Sequence, residues 1–373
     1  MNIHVEESGL RPRAIARVES GFDFLSAEYA ELYRRSCASA FQRPLWLQSI
    51  YDVLAPGLGA RAHVITLRGA ATGDLQMVVP LVRQRSCGVT VLQPADLGVC
   101  DYNSIVASPE TMRSVAADAS LLRQIRTLLK VGDVLIFRKL KEHRAETAAI
   151  LGLDALTSNE NSAFDVELGG TDFGEWQRAH LKKRFRNGAS RRLRKIRADH
   201  RCVDFVTFSD PGEIGAAIRF IAKHRSARFK DDILRQEAYF DFYLHHALAG
   251  APRGDAVTSG LVVDGTLVSA DFGIVGNGAY HSILCAARLD TYGQYAPGML
   301  GLMELLRSRH ATGEARFDFG IGSSRQKSDF AATEHPLYNL TAATSIKGSL
   351  VSLIYNRAKP MKTMLRRRFA SIR

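Results

Sequence analysis

The chain has 373 residues, which is enough for about two domains of ordinary size. A hydrophobic fraction of 46% and a mean hydropathy of −0.09 exclude a generally disordered chain. The five cysteines are dispersed and form no CxxC pair, which excludes a disulfide framework and a cysteine-based zinc site. We therefore expect no metal. We also expect a cytoplasmic protein, because no apolar run is long enough for a membrane span or a secretion signal.

The net charge of +12 is concentrated in two segments. Residues 180–201 contain ten Lys or Arg and a single acidic residue, whereas residues 356–373 contain seven Lys or Arg and no acidic residue. Both segments also carry apolar residues at helical spacing, which predicts basic amphipathic helices. Such helices bind anionic membrane surfaces or other polyanions. Solvated helices are the simpler alternative.

Hydrophobic periodicity predicts alternating strands and helices in the first half of the chain. The predicted strands are 14–18, 62–67, 75–82, 89–92 and 134–137, and the predicted helices are 26–38, 44–54 and 113–129. A basic helix is predicted across 171–201, with a kink at Asn187 and Gly188.

The second half shows a clearer pattern in the order β-α-α-β-β-β-α-β-α-β. The predicted strands are 203–208, 258–263, 266–275, 279–287, 315–319 and 338–346, and the predicted helices are 210–225, 234–249 and 299–310. Asp264-Gly265 between alternating apolar residues predicts a tight hairpin. The fold class is therefore α/β with a mixed sheet, and the order of elements resembles the GCN5-related N-acetyltransferase (GNAT) fold. The first half is predicted to be a degenerate copy of the second.

Four segments follow from this pattern. They are a degenerate GNAT-like domain (1–168), a basic connecting helix (169–201), an acyl-CoA-binding GNAT-like domain (202–347) and a basic amphipathic C-terminal helix (348–373).

Five stretches together resemble one family. They are PLWLQSIYDVL, GVCDYNSIV, FDFYLHHAL, LDTYGQYAPGML and FDFGIGSSRQKSDF. This combination resembles the cellulose-biosynthesis-associated tandem acyltransferases, distant relatives of the Fem-type aminoacyltransferases. The resemblance implies an acyl-CoA-dependent N-acyltransferase, and one branch is similar to bacterial ceramide synthases. The chain departs from the family pattern at Gln326, where many relatives carry Tyr, and has one residue too many in the phosphate signature from Gln294 to Gly298.

The helix that starts at Pro297 and Gly298 is the candidate site for the pyrophosphate of acyl-CoA. A helix N-terminus presents free N–H groups and the positive end of its dipole to a phosphate. Tyr295 and Met299 flank this position, and Lys327 is a second candidate for pairing with a phosphate. An ordinary Pro-initiated helix and a solvated lysine are the structural alternatives.

Acyl transfer to an amine needs an oxyanion donor and a group that removes the amine proton. In the GNAT fold the oxyanion donor is a backbone N–H of the last meander strand, here within 284–287. His281 is the candidate base, and Asp271 is expected to lie near it on the neighbouring strand and to orient it. Asp318 is a third candidate, although it could simply cap the loop that follows.

Two further sets of side chains are candidates with structural alternatives. Tyr292 and Tyr295 could protonate the leaving thiolate or simply pack. Asp101, Tyr102 and Asn103 could line a cleft between the domains, or serve only to form a turn.

The sequence thus predicts an acyltransferase on the inner face of the cytoplasmic membrane, with acyl-CoA as co-substrate and an amine acceptor such as a sphingoid long-chain base. An exopolysaccharide amino sugar or hydroxyl is the second acceptor. A Fem-like aminoacyl-tRNA-dependent transferase and a non-catalytic scaffold remain open. No nucleic-acid recognition motif is present, so no specific nucleic-acid partner is expected.

Overall fold

The computed structural model describes residues 13–86, 88–153, 155–170, 172–323 and 325–358. Within these residues, thirteen strands form one mixed sheet with helices on both faces. The strands are β1 (Ala14–Glu19), β2 (Arg61–Gly69), β3 (Leu75–Ser86), β4 (Val89–Pro94), β5 (Val106–Ala107), β6 (Val134–Leu140), β7 (Ala155–Glu167), β8 (Val203–Thr207), β9 (Ala256–Val263), β10 (Thr266–Gly276), β11 (Ala279–Ala287), β12 (Arg316–Ile321) and β13 (Thr333–Ala343).

The helices surround this sheet. They are α1 (Ala27–Arg35), α2 (Pro44–Ser49), α3 (Ala55–Gly57), α4 (Pro109–Ala117), α5 (Ala119–Leu128), α6 (Arg144–Leu151), α7 (Phe173–His180), α8 (Lys183–Asp199), α9 (Pro211–Arg228), α10 (Glu237–Gly250), α11 (Leu289–Tyr292), α12 (Pro297–Ala311), α13 (Arg325–Asp329) and α14 (Ile346–Leu353). In the described residues no helix is both long and apolar enough to cross a bilayer.

The element order predicted for the second half is confirmed. It runs β8, α9, α10, β9, β10, β11, α12, β12, α13, β13, with the short α11 before α12. The predicted turn also forms: Asp264 and Gly265 have φ of +47° and +75°. Positive φ at both central residues is characteristic of the type I′ hairpin turn.

The two halves exchange their last strands. The strand order is β1-β2-β3-β4-β6-β13-β7-β12-β11-β10-β9-β8, so β7 of the first half lies between β12 and β13 of the second, and β13 pairs with β6. Strand β7 was not predicted, because SNEN in its middle interrupts the apolar alternation. The predicted domain limits at 168 and 202 stay predictions. One continuous sheet runs through both halves and does not mark where one domain ends and the next begins.

The predicted kink at Asn187 and Gly188 is wrong. Both residues lie inside α8, and the chain instead breaks between α7 and α8. Leu181 adopts an extended conformation there and is buried, so its burial fixes the turn. A glycine inside a helix costs only about 1 kcal/mol, which the packing of α8 offsets.

Two other helices differ from their predicted lengths. The helix expected over 113–129 is two helices, because the extended backbone of Asp118 ends α4 and its carboxylate caps the N-terminus of α5. The C-terminal helix starts at Ile346 and continues through a π-helical turn to Ala358. The remainder of the helix predicted over 348–373 lies outside the described residues.

The core joins the two halves on one face of the sheet. Trp46 from the first half packs edge-to-face on Phe242 from the second, with ring centroids 5.0 Å apart. On the opposite face, α7, α8 and α12 cover the second half, where Tyr280 and Phe317 are fully buried. In the second half, one face of the sheet therefore belongs to the core shared with the first half, and the other face is covered by α7, α8 and α12.

Candidate active site

The candidate site lies where β11 and β12 separate. These parallel strands pair at only three positions, and the last pair is His281 opposite Asp318. A β-bulge lies directly beyond, because Gly273 pairs with Ser282 and Phe272 with Leu284. The bulge and the short ladder together open a gap between the two strands.

One edge of β11 offers N–H groups to this gap. The N–H of Arg288 donates to the Val268 carbonyl of β10. Because hydrogen-bonded and non-hydrogen-bonded pairs alternate in antiparallel strands, the N–H groups of Cys285 and Ala287 point away from β10. Both lie within the segment 284–287 predicted to supply the oxyanion donor, and they can bind a carbonyl oxygen or an extended ligand.

His281 faces the side of the sheet that the first half covers. It is 7% exposed and contacts the ring of Phe41, with centroids 5.5 Å apart. Its Nδ1 is buried, makes no hydrogen bond to a described residue, and lies 3.5 Å from Oδ2 of Asp318. The Asp318 carboxylate is thus the charged group that can orient the imidazole.

Asp318 is held by groups from both halves. The Tyr102 hydroxyl donates to its two carboxylate oxygens at 2.9 and 2.8 Å, and the Gly320 N–H donates at 2.7 Å. Burial alone would raise the pKa of Asp318, but the His281 imidazole and these donors outweigh it and lower the pKa below its usual range. Asp318 therefore stays ionised, and it also caps the following loop, as the alternative interpretation expected.

Asp271 does not contact His281, so the predicted pairing of the two is wrong. The ladder places Asp271 opposite Cys285 and His281 opposite Ile274. Side chains alternate along a strand, so His281 and Ser282 point to opposite faces. That alternation was available from the sequence.

Asp271 instead forms a buried cluster under α12. It accepts hydrogen bonds from the Tyr280 hydroxyl at 2.6 Å and the Ser282 hydroxyl at 2.7 Å. Burial raises its pKa to about 6 despite these two donors. The carboxyl group can therefore change protonation state near neutral pH.

Two cavities flank β11. The first lies between α12 and the sheet, has a volume of about 260 Å³ and is lined by Ser259, Asp271, Ser282, Cys285, Gly298 and Lys327 among others. We call it the donor pocket because the sequence predicts acyl-CoA at the start of α12. The seam pocket, of about 310 Å³, lies where the halves meet and is lined by Tyr102, Lys141, Asp165, His281, Arg316 and Asp318 among others. His281 and Ser282 are adjacent in sequence but open into different cavities.

The start of α12 supplies part of the donor pocket. Gly298 lines it, and a Cβ at this position would lie 3.4 Å from the Cβ of Ala287. Pro297 is buried in the first turn, and Met299 faces a groove beside α8. A chain in the donor pocket thus passes close to the N-terminus of α12.

Tyr295 lies apart from both pockets. Its hydroxyl donates to Asp199 of α8 at 2.7 Å, and Lys195 of α8 donates to Gln294 at 2.9 Å. These bonds hold the basic helix against the start of α12. The ring of Tyr292 lies beside that of Tyr295, with centroids 6.4 Å apart.

Lys327 lies in the donor pocket. Its amino group donates to the carbonyls of Gly320 and Ile321, each at 2.9 Å. Burial lowers its pKa, although Asp101 and Asp318 act in the opposite sense. The amino group braces the loop after β12 and adds positive charge to the pocket.

The three candidates at positions 101–103 lie in two different environments. Tyr102 reaches Asp318, whereas Asn103 donates to Asp96 within the first half at 2.9 Å. Asp101 accepts the N–H of Ile321 at 3.3 Å, and burial raises its pKa. The contact of Tyr102 with Asp318 spans 216 positions, and no pattern in the sequence signals it.

The groove beside α8 is wide and basic. It has a volume of about 1620 Å³ and is lined by Lys182, Lys183, Arg184, Arg191, Arg192, Arg194 and Ala296 among others. Ala296 immediately precedes α12, so the cations of α8 lie next to the helix N-terminus. The described residues contain no cluster of three or more His, Cys, Asp or Glu that could hold a metal ion.

Comparisons with known proteins identify the domain in which this site lies. The family described as Acetyltransferase (GNAT) domain matches residues 183–328, from α8 through most of α13. No curated protein matches significantly in sequence. The chain therefore carries a GNAT acetyltransferase domain and is a transferase, as predicted, and it uses the predicted mixed α/β fold.

Solved structures share the fold across most of the chain. FemX is similar at a TM-score of 0.63 and 11% identity, covering 88% of this chain and 97% of its own. The C-terminal domain of a protein described as a lysylphosphatidylglycerol synthetase, from Agrobacterium fabrum, is similar at 0.55 and 12%, covering 88% and 95%. A tandem GNAT protein from the clavulanic acid biosynthesis pathway is similar at 0.50 and 12%, covering 88% and 98%. At these identities the likeness shows the fold alone.

Proposed function

We propose that this transferase is an acyl-CoA-dependent N-acyltransferase that acylates the amine of a lipid at a membrane surface. The observation that carries the proposal is the open edge of β11, which has a pocket on each side and His281 at the point where the strands separate. Two substrates can therefore approach one reaction centre from opposite faces of the sheet.

The donor pocket suits the thioester end of acyl-CoA. The N–H groups of Cys285 and Ala287 can bind the thioester oxygen and the extended pantetheine arm. The free N–H groups of α12 and the cations of α8 favour the phosphates. Gly298 leaves room for the arm to pass between these two regions.

The seam pocket suits the amine. In the proposed step the amine nitrogen attacks the thioester carbonyl, and the amine proton passes to the imidazole of His281. The new C–N bond forms as the C–S bond breaks, and the CoA thiolate takes up the proton held by the imidazolium, which restores the neutral base. Asp318 orients His281 and stabilises the imidazolium, and Tyr102 fixes Asp318.

Exposed apolar side chains of α14 support a lipid acceptor. Ile346, Leu350 and Leu353 are 91, 60 and 55% exposed. Their spacing places them along one side of the helix. The sequence that follows, 356–373, carries seven basic residues and no acid, which suits an anionic bilayer. A sphingoid long-chain base is the lipid amine we propose, with association to the inner face of the cytoplasmic membrane; an exopolysaccharide amino sugar is the alternative acceptor.

Release of free CoA thiol tests the proposal. Purified protein is supplied with acetyl- to palmitoyl-CoA, together with either sphinganine in anionic vesicles or glucosamine. Turnover that requires the lipid amine, with the amide detected by mass spectrometry, supports the proposal. Turnover with the sugar alone would assign the alternative acceptor, and no turnover with either acceptor would contradict acyl-CoA-dependent transfer.

The basic groove favours one second candidate, transfer from aminoacyl-tRNA. Its width and its row of cations suit a nucleic-acid backbone as well as the phosphates of CoA. Binding of charged tRNA that weakens steeply with salt, together with transfer of the aminoacyl group and indifference to acyl-CoA, would select this function.

A further inference from the structure

The donor pocket contains a polar chamber beneath α12, formed by Ser259, Ser269, Asp271 and Ser282. Ser259 and Asp271 lie opposite each other on β9 and β10. Helix α12 passes so close that a Cβ on Gly301 would lie 2.4 Å from the Ser269 hydroxyl. Three hydroxyls and a carboxyl group thus share a confined space.

Ser259 provides the observation that points to a ligand. Its side chain is fully buried, and its hydroxyl has no hydrogen-bond partner among the described residues. Buried hydroxyls are almost always paired, because leaving one unpaired forfeits its hydrogen bond to water. A polar group that enters the donor pocket would restore this bond.

Asp271 can accept more hydrogen bonds than it does. It receives one from Tyr280 and one from Ser282, whereas an ionised carboxylate has about four acceptor sites. Arg309, whose charge acts on Asp271, is itself paired with Glu314 at 3.4 Å. The Asp271 carboxylate can therefore accept further hydrogen bonds from a group that enters the chamber.

The polarity of the chamber disfavours an alkyl chain at its position, although apolar side chains such as Leu302 and Phe319 line other parts of the donor pocket. An alkyl chain in the chamber would cover a carboxyl group and hydroxyls without replacing their hydrogen bonds with water. A short acyl group with a polar substituent avoids this cost.

We propose that the polar chamber selects short donor acyl groups that carry a hydrogen-bond-donating substituent, a hydroxyl or an amine, received by Ser259 and Asp271. The inference rests on the proposed acyl-CoA function and specifies its donor. Ser259 and Asp271 are specificity-determining residues in this account, and neither takes the amine proton of the acceptor.

The test compares donors of equal length. The kcat/KM for CoA release and the Kd from calorimetry are measured with butyryl-, 3-hydroxybutyryl-, 4-aminobutyryl- and palmitoyl-CoA. Wild-type protein is expected to prefer a substituted four-carbon donor over butyryl-CoA by about tenfold or more, and palmitoyl-CoA is expected to be the poorest donor. A preference for the amine that Asp271→Asn abolishes would identify a cationic substituent, and a preference for the hydroxyl would identify a hydroxyacyl donor.

Ser259→Ala should reduce this preference at least fivefold. Thr258→Val is the matched control, because the Thr258 hydroxyl is also buried and unpaired among the described residues but does not line the donor pocket. The control should keep the wild-type preference. Equal use of butyryl- and substituted donors, or a preference unchanged in Ser259→Ala, would overturn the inference while leaving acyl-CoA transfer intact. Absence of both turnover and binding with every donor would overturn the proposed function and the inference together.

Discussion

His281 and Asp318 form the last residue pair of the parallel ladder between β11 and β12, with Nδ1 of the imidazole 3.5 Å from Oδ2 of the carboxylate. The strands separate directly beyond this pair. Among the described residues, the imidazole therefore lies beside the part of β11 that is not paired with β12. A histidine in this position can reach a substrate in the gap while its orientation is set by an ionised carboxylate.

Replacement of His281 tests its role as the proton acceptor. His281→Gln should lower kcat by about 10² to 10⁴, the usual contribution of a general base, with a smaller change in KM. The matched control is His63→Gln, because His63 is also 7% exposed but lies in the first half and bonds to the Leu128 carbonyl. Equal losses of kcat in both variants would show that only folding was affected.

The Tyr102 hydroxyl should matter for activity beyond its contribution to stability. Tyr102→Phe removes the hydroxyl whose single hydrogen is shared between the two Asp318 oxygens, so we expect a stability loss of about 1 to 2 kcal/mol, a lower kcat and a shifted pH profile of kcat/KM. Tyr51→Phe removes a comparable bond to the Leu81 carbonyl and serves as control. Urea unfolding and pH–rate profiles measure the two effects, and an unchanged pH profile in Tyr102→Phe would separate Tyr102 from the reaction.

Side chains at Gly298 should obstruct the donor pocket in proportion to their size. A Cβ there meets Ala287 at 3.4 Å, so Gly298→Ala should be tolerated, whereas Gly298→Val should raise the KM for acyl-CoA about tenfold, equivalent to about 1.4 kcal/mol. Gly293→Ala is the control, because a Cβ at Gly293 meets no atom within 4 Å. Initial-rate kinetics at saturating acceptor measure the effect; similar KM values in all three variants would place CoA elsewhere.

Ionisation of Asp271 should lower stability as pH rises. Its pKa is raised from 3.8 to about 6 in the folded state, so the folded protein binds the proton more tightly than the unfolded chain. This tighter proton binding stabilises the folded protein fully below pH 3.8, and the stabilisation is lost as pH rises through about 6. The free energy of unfolding changes by about 3 kcal/mol over this range. Asp271→Asn lacks this titration, so urea unfolding from pH 4 to 7.5 should show a steeper decline for the wild-type protein. Parallel curves would contradict the raised pKa.

The exposed side of α14 should mediate membrane binding. Leu350→Glu places a charge among the exposed apolar residues of α14 and should weaken co-sedimentation with anionic vesicles several-fold. Leu289→Glu alters a residue of similar exposure, 50% against 60%, on a different surface and should bind like the wild-type protein. Binding that is insensitive to Leu350→Glu would exclude α14 as the contact.

Local patterns in the sequence were sufficient for most elements. Apolar alternation and the Asp264-Gly265 turn predicted the β9–β10 hairpin, because a turn with positive φ is a short-range requirement. Candidate residues on individual strands could be identified for the same reason. The predicted contact between Asp271 and His281 is wrong, although side-chain alternation alone places the two on opposite faces, whereas the bulge at Ile283 has no local signal in the sequence.

The sequence by itself therefore determined the mixed α/β class, the element order of the second half and the two basic segments, since each depends on neighbouring residues. Only the tertiary structure decided that β7 and β13 are exchanged between the halves, that Tyr102 holds Asp318, and that the buried Ser259 hydroxyl has no hydrogen-bond partner among the residues described. These features depend on contacts between residues far apart in the chain, where the free energy of burial selects the partner and no local periodicity records the choice.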